Sequence, residues 1–219
     1  MKELLNAYSN EGEKVGQIEK KEFHKKLQNE YLKTKTTTIR HKCVRLLLLN
    51  SSGKIILQKR SKWKADNAGK WDKTVGGHVR EDDSYDLTML KECAEELGLP
   101  ATIVKKNEFE TATQTTNLQI LGILTKLSYL DNCQSTRQLK NGKKWIETSM
   151  VNFYMGYYDG AIRFIDKEAC GIQIFSLEEL KQEIKEQPEN FTDDIKFILK
   201  KFKNKIKPIT NKREHTLND

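Results

Sequence analysis

Residues 76–99 read GGHVREDDSYDLTMLKECAEELGL, and seven carboxylates fall within sixteen of those positions: Glu81, Asp82, Asp83, Asp86, Glu92, Glu95 and Glu96. The 219-residue chain as a whole carries a formal net charge of +8, so negative charge is concentrated here against the trend. The pattern predicts a helix over 84–97, stopped by Gly98 and Pro100. On a helical wheel Leu87, Leu90, Cys93, Ala94 and Leu97 form a stripe expected to face the core. Glu92, Glu95 and Glu96 gather on another side.

The acids fall into two groups. Asp82, Asp83 and Asp86 sit at the helix N-terminus, where caps and negative charge are favourable. Glu92, Glu95 and Glu96 lie at the other end, opposed by the helix dipole, and Glu92 repels both neighbours at spacings of three and four. An isolated helix gains nothing from such a cluster. A hard cation such as Mg²⁺, which takes a few carboxylates together with substrate phosphate oxygens, accounts for it better than a solvated face.

The stretch resembles the Nudix box, G-x₅-E-x₇-R-E-U-x-E-E-x-G-U, where U is aliphatic. The chain supplies Gly77, Asp83, Lys91, Glu92, Cys93, Glu95, Glu96, Gly98 and Leu99 in that register. Asp83 stands for Glu and Lys91 for Arg, which preserves an acid and a base. Cys93 replaces the aliphatic residue as a small hydrophobe. The resemblance implies an α/β Nudix fold, an α/β/α sandwich around a mixed β-sheet, and a hydrolase acting on a diphosphate linked to another moiety. It further implies Mg²⁺ or Mn²⁺ held by Glu92, Glu95 and Glu96, with Glu92 a ligand or the group that activates water. Glu168 matches a position that often supplies a late acid ligand. Gly76 and Gly77 let the backbone approach metal and phosphates.

Beyond the box the chain is similar to the isopentenyl-diphosphate isomerase-like branch. His24, His41 and His78 match three histidines that bind a second metal in those isomerases. Glu147 matches one of the two accompanying glutamates, and Ser149 stands where the other would be. A second transition metal is therefore one reading of these residues, and local hydrogen bonding of each histidine is the other. Arg60 and Lys64 match residues that contact diphosphate, and Lys20 is a further candidate. The isomerases carry a cysteine where this chain has Gly76. That difference and Ser149 favour hydrolysis over isomerisation; a catalytically silent Nudix-fold binder is the third alternative.

Composition frames these readings. Hydrophobic residues make up 37% and charged residues 32%, and the longest aliphatic run is Leu46 to Leu49. That run is far short of the roughly 20 residues that span a bilayer, and the start has no apolar signal core. A cytoplasmic protein with no membrane partner is expected. Cys43, Cys93, Cys133 and Cys170 are scattered and suit free thiols. Basic residues cluster at the ends and read as solvated surface, so a small-molecule diphosphate is the expected partner and nucleic acid is not; a homodimer is left open.

One domain is expected over 1–207, with a hairpin and basic extension in 1–38 and a flexible basic tail in 208–219. Within it, residues 4–18 read as two short strands, and a polar lysine-rich stretch continues to Thr38. VRLLLLN-SSG-KIILQKR reads as a hairpin. Two later strands flank a polar loop, DNCQSTRQLKNGKKW, and two helices close the chain.

Overall fold

The computed structural model describes residues 3–165 and 168–210. The apolar run found in the sequence lies in strand β3 (Ile39–Leu49), the centre of a mixed sheet. It is preceded by β1 (Leu4–Ser9), β2 (Lys14–Glu19) and helix α1 (Lys20–Thr34). After it come β4 (Ile55–Arg60), β5 (Trp71–Asp72), β6 (Val75–His78), helix α2 (Tyr85–Leu97), β7 (Ala101–Ile103) and α3 (Phe109–Thr115). The chain continues through β8 (Gly122–Gln138), β9 (Lys144–Tyr157), β10 (Ala169–Phe175), α4 (Leu177–Glu186) and α5 (Asp193–Phe202). The main path of the sheet is β10-β4-β3-β9-β8-β7; β1 and β6 also pair with β3, β2 pairs with β1, and β5 pairs with β4.

Strand β3 is apolar throughout its second half because both of its faces are covered. Cys43, Leu47 and Leu49 pack with Val151 and Phe153 under Ile195 and Ile198 of α5. Val44, Leu46 and Leu48 pack on the opposite side with Met89, Cys93 and Leu97 of α2. The layers are thus helix, sheet, helix, as the resemblance implied.

Helix α2 is fixed at both ends by local chemistry, with Ser84 as the N-cap in place of the expected aspartates. Ser84 Oγ accepts a hydrogen bond from the Leu87 amide at 3.1 Å. At the other end Gly98 adopts φ 59°, and the amides of Gly98 and Leu99 close onto the Ala94 and Cys93 carbonyls. Only glycine takes that left-handed conformation without penalty, and it turns Leu99 into the core.

Three expectations are corrected. The core stripe of α2 is rotated: Thr88, Met89, Cys93, Glu96 and Leu97 are buried, while Leu87 and Ala94 are exposed. Hydrophobicity alone selected the leucines, but the buried face must also carry Glu96 toward Gln58, whose Nε2 donates to it at 3.2 Å. The lysine-rich stretch after Glu19 is helix α1, hidden because only Phe23 and Leu27 anchor it. The polar loop before Trp145 is mostly strand, since β8 and β9 form one long antiparallel hairpin with Ser135 opposite Glu147.

Residues 207–210 lie against the turn after β3 and against α3: the Ile209 amide donates to Ser51 O at 2.9 Å, and Gln114 Nε2 donates to Thr210 O at 2.8 Å. The rest of the expected tail lies outside the described residues. All four cysteines are free, and only Cys170 is exposed. Among the described residues no helix is long and apolar enough to cross a membrane.

Candidate active site and histidine cluster

Consecutive glycines on β6 separate two sets of functional groups. Register pairs Gly77 with Val44 and Gly76 with Arg45, so the two glycines face opposite sides of the sheet. On the Gly77 side lies Glu92, packed so closely that a Cβ at Gly77 would collide with its carboxylate. On the Gly76 side a Cβ would collide with the side chain of Lys73.

The three box glutamates occupy different environments along α2. Glu96 is buried, Glu95 is exposed with Arg80 Nη2 3.5 Å from its Oε2, and Glu92 is between them in exposure. Burial pushes the Glu92 carboxyl up to about 7; Lys20 opposes the shift, and Glu95, Glu168 and Glu3 add to it. Lys20 forms an ion pair with Glu3 at 2.9 Å and is within Coulombic reach of Glu92 and Glu168. Burial works against ionisation of Glu168 too, but Lys64 Nζ at 2.6 Å outweighs it and lowers the pKa. The substituted box positions also meet: Lys91 donates to both Asp83 oxygens, at 2.7 and 3.0 Å. This pair ties the middle of α2 to the turn before it.

The second set is assembled from four elements. His24 comes from α1, His41 from β3, His78 from β6 and Glu147 from β9. One ligand atom from each lies within 4.8 Å of all the others. The sixteen residues between His24 and His41 are absorbed by α1 and the turn after it. His24 and His78 face each other through their Nε2 atoms at 3.1 Å, and His24 Nε2 is 3.0 Å from Glu147 Oε1. His24 Nδ1 is taken by Lys20 O at 2.7 Å, which leaves Nε2 for the cluster.

Local hydrogen bonding does not explain His41. It is fully buried, and neither ring nitrogen has a hydrogen-bond partner. A buried polar atom without a partner costs about 1–3 kcal/mol, and a metal would engage one of the two ring nitrogens. Burial drives the His41 pKa down to about 3 and holds His78 well below its ordinary value, so both are neutral and able to bind metal. Burial pulls His24 the same way, but the Glu147 carboxylate beside it wins and raises its pKa. Glu147 itself is kept ionised despite burial, chiefly by the Arg137 guanidinium. Arg137 Nε donates to Oε2 at 2.8 Å, leaving Oε1 turned toward the histidines. Three neutral-capable imidazoles and one carboxylate are a donor set that suits a transition metal.

The matched phosphate-binding residues are partly committed elsewhere. Arg60 Nη2 lies 2.9 Å from Asp66, and its Nη1 lies 3.3 Å from Asp72. Ser149 lies directly opposite His41 in the parallel β3–β9 ladder, and its side chain is buried. Sequence reasoning missed Arg137 and the buried group formed by Arg45, Lys73, Asp72 and Asp194. Arg45, set between Val44 and the leucine run of β3, was the available signal.

Residues 39–195 match the NUDIX domain model. The chain is 34% identical over 62 residues to the Uncharacterized Nudix hydrolase PA4841 of Pseudomonas aeruginosa, covering 28% of this chain and 37% of that protein. The match thus spans under half of that relative's length. Against an Isopentenyl-diphosphate Delta-isomerase of Serratia proteamaculans it is 24% identical over 152 residues, or 69% of this chain and 70% of the isomerase. The crystal structure of DR0079 from Deinococcus radiodurans superimposes with a TM-score of 0.63 at 18% identity, covering 91% of this chain and 98% of that one, a likeness of fold. With the box residues in register and the model matched across most of the chain, this protein belongs to the Nudix family.

Proposed function

We propose that the chain hydrolyses a diphosphate linkage in a nucleoside or other organic diphosphate by metal-assisted attack of water. The observation that carries this reading is Glu92: a carboxylate pressed over the Gly77 backbone, among other acids, with its pKa raised to about 7. Glu92, Glu95, Glu96 and Glu168 would hold Mg²⁺ or Mn²⁺, which when bound neutralises diphosphate charge and acidifies its water. A hard cation takes one or two carboxylates and completes its shell with water and phosphate; these glutamates are not gathered around one point as the histidines and Glu147 are.

The chain's own residues then have distinct roles. Glu92, where it does not itself ligate the ion, accepts the proton of the attacking water. Gly77 keeps side-chain bulk out of the space above it. Lys20 and Lys64 supply positive charge beside the acids, and Arg60 offers what its ion pairs with Asp66 and Asp72 leave free. Incubation with a panel of organic diphosphates and Mg²⁺ tests the reading: phosphate or monophosphate products are expected, and their absence across the panel would reject it.

A second reading, isopentenyl-diphosphate isomerase, is favoured by the histidine cluster and by the match to the Serratia enzyme. In either reading His24, His41, His78 and Glu147 would hold a transition metal. Gly76 and Ser149 oppose isomerisation, because neither supplies a group to move a proton across an allylic unit.

A further inference from the structure

On the α5 side of the sheet, a cavity of about 220 Å³ opens between β8, β9, α3 and residues 205–210. Phe109, Leu127, Met155, Tyr157 and Ile209 give it apolar walls. The rings of Phe109 and Tyr157 lie 5.8 Å apart and 30° from parallel, and form one flat side. Tyr157 pairs with Leu49, whereas Ser149 on the same strand pairs with His41. A strand rises about 3.3 Å per residue, so the cavity lies roughly 25 Å from the histidine cluster. Glu92 is on the other face of the sheet.

The roof of this cavity is fixed. Tyr157 Oη donates to Lys207 O at 2.7 Å, Gln114 Nε2 to Thr210 O at 2.8 Å, and the Ile209 amide to Ser51 O at 2.9 Å. The turn after β3 presses on it too: a Cβ at Gly53 would collide with the backbone of Lys207 and Pro208. Apolar walls held apart in this way forgo the contacts that closing them would gain.

The rim is cationic. Lys106, Lys205 and Lys207 line it, and none of them makes an ion pair among the described residues. Lys126 lines it as well but is held by Asp86 at 2.9 Å. Glu110 is the one acid in the lining, and it is exposed. Scattered surface lysines are ordinary; these three surround an apolar slot.

We infer that the cavity is a second binding site, for a small organic anion with a flat apolar body. Small-molecule sites are lined mainly by apolar and aromatic side chains, with a few polar groups that set orientation. Here the two rings and Met155 take the body, and the unpaired ammonium groups meet a carboxylate at the rim. The site is independent of the hydrolase reading, because it includes neither the glutamates of α2 nor the histidines.

The test uses the full chain in EDTA, so that no metal offers a competing anion site. Isothermal titration is expected to show saturable binding of 2-naphthoate, with the neutral 2-naphthamide about 10-fold weaker. Lys106→Gln, Lys205→Gln and Lys207→Gln combined should weaken 2-naphthoate about 10-fold and leave 2-naphthamide unchanged. All three lysines are exposed, and an unchanged thermal midpoint checks that the variant is folded. Hydrogen exchange locates the ligand: 2-naphthoate should slow the Ile209 amide and those of α3, and not those around His41 or Gly77. Equal affinity for the acid and its amide, an unchanged Kd in the triple variant, or protection around His41 would each overturn the inference. So would no binding of 2-naphthoate at millimolar concentration.

Discussion

The backbone of Gly77 passes directly beneath the carboxylate of Glu92, with no room between them for a Cβ. Gly77→Ala must therefore push Glu92 or β6 aside. The atoms met all belong to the Glu92 side chain, so the carboxylate shifts more readily than the backbone and we expect a stability loss of at most about 1 kcal/mol. Hydrolysis should fall by on the order of 100-fold, since displacement of about an ångström misaligns the proton acceptor. Thermal unfolding and turnover measured together check this; normal turnover in Gly77→Ala would remove Glu92 from the reacting geometry.

Protonation of the histidine cluster sets a pH dependence for the metal-free chain. Unfolded histidine titrates near 6.5, whereas burial holds folded His41 at about 3 and His78 well below 6.5. Between those limits the unfolded chain binds protons that the folded one refuses. Their contribution is complete above 6.5 and is lost on acidification, by about 1.4 kcal/mol per pH unit for each histidine. His24 has the opposite sign: its raised pKa stabilises fully below 6.5 and is lost as pH rises through the folded value. Glu92, raised to about 7, also gains stability on acidification between 7 and its unfolded value; the two buried histidines outweigh it below 6.5, so the unfolding midpoint in EDTA should drop modestly from pH 6.5 to pH 5. A midpoint that rises would contradict the neutral state assigned to His41 and His78.

Metal should reverse that weakness. Protein purified without chelators or a histidine tag is expected to carry a transition metal, and added Zn²⁺ or Mn²⁺ should raise the thermal midpoint of the stripped chain. Replacing Glu147 with Gln removes the charge that faces the three imidazoles and should abolish the shift. Elemental analysis showing no metal, together with no thermal response, would leave the cluster without a ligand.

The Asp83–Lys91 pair is half exposed on the lysine side, so its contribution is small. Lys91→Met should cost at most about 1 kcal/mol and leave the metal-dependent step intact. A large loss of activity with an unchanged thermal midpoint would give Lys91 a direct role in binding substrate.

The chain should not convert isopentenyl diphosphate to its dimethylallyl isomer. The register of β9 with β3 places Ser149 opposite His41, and the space a side chain at Gly76 would need is filled by Lys73. Robust conversion in Mg²⁺ would overturn the hydrolase reading.

The end of helix α2 was legible because its stop is local: Gly98 declares itself without reference to the rest of the fold, whereas the N-cap is Ser84 and not one of the acids Asp82, Asp83 and Asp86. The face of that helix was harder to read, since burial of Glu96 depends on Gln58 from β4, a partner distant in sequence. Helix α1 was masked by its lysines, although it delivers His24. The histidine cluster was legible only through resemblance, because its members come from four elements whose meeting no spacing reveals. The buried ion pairs among Arg45, Lys73, Asp72 and Asp194 left one trace, Arg45 between Val44 and the leucine run of β3.

The central claim is that water attacks a diphosphate under control of the glutamates on α2. Cleavage of a responsive diphosphate in isotopically labelled water, with Mg²⁺ and with EDTA, measures it most directly when wild type and Glu96→Gln are compared. The account predicts one labelled oxygen in a phosphate product per cleavage in the wild type with Mg²⁺. It predicts none with EDTA, and loss of cleavage in a folded Glu96→Gln. Full turnover in Glu96→Gln, or product without label, would contradict it.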